Sequence, residues 1–285
     1  MRYTNYFVFK KDLDANGIEY AARHSKELGF DSVEFLDFYS PDQPILPEMI
    51  DIDEAKRVLC DYGLEVSCFS VGINLLELGP KKSVDVLKKY SDTAARLGSP
   101  FLHHTLVFPL TLPEDAPSYD DILDGIVETA SAVASYCSKL NVTCIYEPQG
   151  MYFNGVAGLT PLLTEMKKRA TNVGVCGDVG NCLYVDDDPV AVFEAFAPDI
   201  LHVHMKDYTV RAEKGDNPTT KPSRSGRWLT ISEIGAGDID LVGAMRALKS
   251  VDYDGAFALE VKGDDDFMRR SIEYLKSVHC QVYGV

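Results

Sequence analysis

Four polar side chains each close an otherwise apolar run in this sequence of 285 residues. Glu147 ends Val142-Thr-Cys-Ile-Tyr-Glu147, Asp178 ends Val173-Gly-Val-Cys-Gly-Asp178, His204 ends Leu201-His-Val-His204, and Glu260 ends Ala256-Phe-Ala-Leu-Glu260. Short apolar runs of this kind read as strands, whose side chains alternate between two faces. Alternation puts His202, His204 and Lys206 on one face and Leu201, Val203 and Met205 on the other. In the last run it groups Ala256, Ala258, Glu260 and Lys262 against Phe257, Leu259 and Val261. The apolar sets suit a layer beneath helices, so the polar sets point into a shared interior. Each of the four residues alone could be an ordinary helix cap or salt-bridge partner. Three carboxylates and an imidazole converging on one point, however, would repel one another unless a cation stood among them, because unpaired buried charge is costly. A donor set of oxygens with one nitrogen favours Mn²⁺ or Mg²⁺ and admits Co²⁺ or Zn²⁺.

Such an ion bridging a ketone and the neighbouring hydroxyl stabilises an enediolate, so the proton on the adjacent carbon becomes removable. Two carboxylates on opposite sides of the ring of ligands could then remove and return that proton. Return to the other face is epimerisation, and return to the neighbouring carbon is aldose–ketose isomerisation. Loss of a β-substituent instead gives a dehydratase or lyase.

The elements that position these residues form a repeated β/α unit. Strand-like runs fall at 4–9, 32–38, 65–71, 101–107, 142–147, 173–178, 200–204 and 256–261. Stretches of helical period fall at 17–28, 53–62, 81–97, 120–140, 161–170, 189–197, 241–248 and 265–278, several stopping at a glycine (Gly29, Gly63, Gly98) suited to a left-handed cap. Eight alternating pairs close a parallel sheet into a barrel. The competing open sheet normally carries a Gly-rich phosphate loop after its first strand, where this chain has Phe9-Lys-Lys-Asp12. The expected fold is therefore α/β, a single (β/α)8 TIM barrel spanning 1–285 as one catalytic domain, with a long loop after strand seven. That loop, 208–240, carries Arg224, Arg227 and the single tryptophan, Trp228, and is expected to cover the mouth. In a barrel the active site forms at the C-terminal ends of the strands, where the four polar residues stand.

Charge narrows the function. Forty-four acidic against 28 basic residues give a formal net charge of −16, which leaves no basic field for nucleic acid. No apolar run reaches the roughly 20 residues of a membrane span, and the start lacks a secretory signal, so a cytoplasmic enzyme is expected. Seven cysteines without a CxxC pair read as reduced core residues. His202 reads as a supporting or core histidine rather than a ligand, at most one of the adjacent His103 and His104 faces the site, and His24 and His279 read as surface residues.

Asp178-Val-Gly-Asn181, His202-Val-His-Met-Lys206-Asp207, Ile234-Gly-Ala-Gly-Asp238 and Tyr253-Asp-Gly-Ala-Phe-Ala-Leu-Glu260, with Gly29-Phe-Asp-Ser-Val-Glu34, resemble the sugar phosphate isomerase/epimerase family, the xylose isomerase-like TIM barrels. The resemblance covers essentially the whole chain. It implies that Glu147 and Glu260 bind the metal and exchange protons with the sugar, while Asp178 and His204 complete the coordination. The sequence departs from the ketose 3-epimerase branch at Asn181, where a histidine is common, and at Ala236, where a glutamate is frequent. His202, Lys206, Asn181 and His104 are the candidates to contact substrate. The expected enzyme is thus a metal-dependent isomerase or epimerase of carbohydrate metabolism that binds a small carbohydrate, with homo-oligomerisation left open. The alternative is a carbon–oxygen or carbon–carbon lyase on a keto-sugar or inosose, including a C-glycoside-cleaving subunit. A DNA repair endonuclease of the same fold would need more histidines and a basic groove.

Overall fold

Residues 2–284 are described by a computed structural model. The strands are β1 (Arg2–Asn5), β2 (Ser32–Phe38), β3 (Glu65–Gly72), β4 (Phe101–His104), β5 (Thr143–Tyr146), β6 (Val173–Asp178), β7 (Ile200–Met205), β8 (Asp207–Arg211), β9 (Lys221–Pro222), β10 (Trp228–Ser232) and β11 (Ala256–Leu259). Eight of them, all but β8, β9 and β10, close in the order β1-β11-β7-β6-β5-β4-β3-β2, every pairing parallel. The helices are α1 (Phe7–Leu28), α2 (Leu46–Met49), α3 (Ile52–Asp61), α4 (Leu75–Leu78), α5 (Pro80–Leu97), α6 (Tyr119–Ser138), α7 (Gly155–Arg169), α8 (Pro189–Phe196), α9 (Leu241–Lys249) and α10 (Asp265–Tyr283). Val203, Met205, Phe257, Leu259 and Val261 join the main apolar core, as alternation requires when the opposite face lines the interior. No helix among the described residues is long and apolar enough to cross a membrane.

Several boundaries differ from the sequence expectation, each for a local reason. The first strand stops at Asn5 rather than Phe9, because the Asn5 side chain accepts the Phe9 N–H at 3.0 Å and starts a helix there. Gly17, where the first helix was expected to begin, is instead a break inside α1 (φ 80°, ψ 176°). Helix α7 starts at Gly155, ahead of Pro161, since Asn154 and Asp187 accept the free N–H groups of Gly155 and Val156. Five cysteines are buried as expected, but Cys60 and Cys280 are exposed.

The segment expected as a long loop after strand seven is built around a small antiparallel sheet of order β8-β10-β9. Its strands alternate in the sequence, and Leu229 is buried on Leu183, Tyr184 and Tyr208. Asp207 ties the base of this excursion. Its carboxylate accepts the N–H groups of Tyr208, Gly235, Gly237 and Ile239 at 2.9, 2.9, 3.0 and 3.2 Å. Gly235 is left-handed (φ 93°), and a Cβ at Gly237 would collide with the Asp207 carboxylate, which accounts for both glycines of Ile234-Gly-Ala-Gly-Asp238. Arg227 pairs with Asp186 at 3.1 Å and Arg224 donates to the Met151 carbonyl, so both arginines anchor the excursion to neighbouring loops.

Candidate metal centre

The barrel order makes β11, β7, β6 and β5 consecutive, so Glu260, His204, Asp178 and Glu147 form one arc at the C-terminal mouth. One donor atom from each lies within 4.8 Å of the other three. His204 Nδ1 is 3.1 Å from Glu147 Oε1 and 3.3 Å from Glu260 Oε2. Asp178 Oδ1 accepts the N–H groups of Gly180 and Asn181 at 2.8 and 2.6 Å, which turns Oδ2 toward the centre. Tyr6 stacks on the His204 ring with centroids 4.9 Å apart, restricting its plane.

Lys206 and Asn181 are both brought to this centre. Lys206 Nζ stands 2.8 Å from Asp178 Oδ2 and 2.7 Å from Glu260 Oε2, and donates to Asn181 Oδ1 at 3.1 Å. The two carboxylate oxygens nonetheless lack a well-directed hydrogen bond. Burial pushes the Asp178 carboxyl well above the usual range, the neighbouring charges of Glu147 and Glu260 push the same way, and Lys206 only partly opposes them. For Glu147 and Glu260 burial is outweighed, by His204 and His103 at the first and by Lys206 and His204 at the second, and both carboxyls lie below the usual range. The centre is short of positive charge and presents oxygen donors with one imidazole, so the residues present fit a divalent ion.

His202 and His104 are not brought to the centre. His202 is fully buried below it and bonds Glu34 at 2.7 Å. The His104 ring lies edge-on to Tyr146, with Nδ1 3.1 Å from the Thr105 carbonyl. His103 faces the site instead, with Nε2 3.5 Å from Glu147 Oε2 and Nδ1 2.9 Å from Ser70 Oγ. Alternation carried the signal, since His104 shares its face with the buried Leu102. Two further residues went unassigned in the sequence: Tyr6, and Glu34, which ends the Gly29-Phe-Asp-Ser-Val-Glu34 motif. A cavity of about 1190 Å³ opens at the opposite, N-terminal mouth, lined in part by Arg2, Glu65, Phe101, Leu201 and Tyr253. None of the four donors touches it.

A closed eight-stranded parallel barrel with an acidic arc at its C-terminal mouth places the chain among the α/β barrels. It belongs to the xylose isomerase-like TIM barrel family, whose sequence profile matches residues 22–278. A ketose 3-epimerase from Arthrobacter globiformis is 23% identical over 273 residues, covering 89% of this chain and 80% of that protein. The structure of a D-allulose 3-epimerase from Methylomonas sp. superposes with a TM-score of 0.75 at 17% identity, covering 98% of each chain. A xylose isomerase-like TIM barrel protein from Mycobacterium smegmatis, solved in complex with magnesium, gives 0.74 at 17% identity, with 99% of this chain and 97% of that chain covered. These structural likenesses establish a shared fold.

Proposed function

We propose that the chain is a metal-dependent sugar epimerase or isomerase acting on a small ketose by proton transfer at the carbon next to the carbonyl. The observation that carries the reading is the placement of Glu147 and Glu260 at the two ends of one four-strand arc, with His204 and Asp178 between them. The epimerase relatives support the substrate class. Glu147, Asp178, His204 and Glu260 would hold the ion, which when bound polarises the substrate carbonyl and its neighbouring hydroxyl. Glu147 accepts the proton from one face of the carbon, its carboxylate becoming the acid, and the carboxylic acid form of Glu260 returns a proton to the opposite face. Each forward turnover leaves the proton on Glu147, and exchange with solvent restores the acid form of Glu260 before the next. Lys206 and Asn181, beside Asp178 and Glu260, are placed to orient a hydroxyl of the sugar. Manganese or magnesium suits the oxygen-rich set, and a cytoplasmic setting suits the buried, unpaired thiols.

Incubation with a panel of ketoses in D₂O and Mn²⁺ tests this. Deuterium should enter the carbon adjacent to the carbonyl, together with a new epimer or aldose. Label uptake with loss of water or of a carbon substituent would replace the reading with a lyase. No uptake from any ketose, with the ion bound, would refute proton transfer.

A further inference from the structure

Glu34 closes a sequence motif that the chemistry above does not use. It lies in β2, fully buried, with its side chain in the barrel interior below the acidic arc. Its Oε2 is 2.7 Å from His202 Nε2, its Oε1 is 3.1 Å from His204 Nε2, and the Ser70 hydroxyl also donates to Oε1. His204 therefore stands between two sets of acids, Nε2 on Glu34 and Nδ1 on Glu147 and Glu260. An imidazole that ligates through one nitrogen keeps its hydrogen on the other, and the partner of that hydrogen decides which nitrogen is free.

We propose that Glu34 is a positioning residue of the metal centre: it holds the Nε2 hydrogen of His204, so that an ion bound among Glu147, Asp178 and Glu260 displaces the hydrogen of Nδ1 and is ligated there. The inference rests on the metal-dependent reading above and deepens it. Glu34, His202 and His204 also have the spacing of an ion site in their own right. Their hydrogen bonding assigns them otherwise. The single Glu34 carboxylate already accepts from Ser70, His202 and His204 and offers an ion one negative charge, against the three carboxylates of the arc. Ser70 and His202 hold the Glu34 carboxylate from two further directions, and Tyr6 stacks on His204, leaving the imidazole little freedom except through Glu34 itself. Glutamine would weaken this arrangement, because it removes the charge and puts an amide N–H₂ where Ser70, His202 or His204 now donates to a carboxylate.

Calorimetric titration of the full chain with Mn²⁺, and Co²⁺ absorption spectra, compare wild type with Glu34→Gln and Glu34→Asp. Wild type should bind one ion per chain. Glu34→Gln should bind about 10–100-fold more weakly with a shifted Co²⁺ spectrum. Glu34→Asp keeps the charge but withdraws the carboxylate, and should shift the spectrum in the same sense. Imidazole ¹⁵N correlation spectra of the Zn²⁺-loaded wild type should show His204 protonated at Nε2 and ligated through Nδ1, a readout that does not depend on any variant folding. Ligation through Nε2, two ions per chain, or affinity and spectrum unchanged in both variants would overturn the role of Glu34 alone. A wild type that binds no divalent ion would overturn the metal reading and this inference with it.

Discussion

At the scale of the residue, a carboxylate that both ligates an ion and exchanges a proton can be divided into its two roles by an amide. Glu147→Gln keeps the volume and one oxygen donor but removes the base. Ion affinity measured by calorimetry should therefore fall far less than deuterium wash-in, which should drop about 10²–10⁴-fold. Wash-in at the wild-type rate would move the base to Glu260. That Glu147, Asp178, His204 and Glu260 meet at one mouth was legible because each breaks an apolar run at a strand end, and alternation shows which way its side chain points. Glu34 was not legible in the same way. It sits mid-run between Asp31 and Asp37, and only the fold reveals that its partners are Ser70, His202 and His204, the last 170 positions away. His103 and His104 show a subtler limit, since adjacent identical residues carry opposite phases and only the burial of Leu102 decides between them.

At the scale of the element, the repeating units were legible and the contacts between distant ones were not. A helical pattern shows that His24 lies on a polar side of α1, which reads as surface. In the fold that side meets the last helix, and His24 bridges Asp12 at 2.6 Å and Asp265 at 3.0 Å, joining the two ends of the barrel. His279, also read as surface, is partly buried and stacks on Tyr283. Burial would lower the His24 pKa, but the Asp12 hydrogen bond and the charges of Asp12 and Asp265 outweigh it and the pKa is raised. A raised folded-state pKa contributes stability that is fully present below the unfolded value of about 6.5 and is lost as pH rises through the folded value. His24→Gln retains an N–H for Asp12 but no charge. Its Tm should therefore lie about 2–4 °C below wild type at pH 5.5, as roughly 1 kcal/mol implies for a chain of this size. The gap should close by pH 9, and a gap independent of pH would show that the imidazole acts there by shape alone. Segment 208–240 failed to declare itself for a related reason. Its strands are short and its closure depends on Asp207 receiving four backbone N–H groups, a feature of folded geometry rather than of periodicity.

At the scale of the whole molecule, a barrel with a formal net charge of −16 places three carboxylates together at one mouth and a fourth just below them. The balancing charges close at hand are Lys206 and His204, too few for four carboxylates, so the Asp178 carboxyl is pushed well above the usual range, an imbalance that an ion would relieve. The overall negative field draws cations toward the mouth as well. Because the four donors end β5, β6, β7 and β11, an ion bound by all of them cross-links four strands whose outermost donors, Glu147 and Glu260, stand 113 positions apart in the chain. Binding to the folded state alone stabilises by about 2.7 kcal/mol at a hundred times Kd. Thermal melts with Mn²⁺ at that concentration should therefore run about 5–10 °C above melts in chelator. The ion should have little effect on a Glu147→Gln, Glu260→Gln double variant, whose own Tm in chelator should lie below that of wild type because two carboxylates held ionised by His204 and Lys206 are gone. An equal rise in both proteins would place the ion elsewhere on the acidic surface, and the arc would then have to be read as a site built around Lys206.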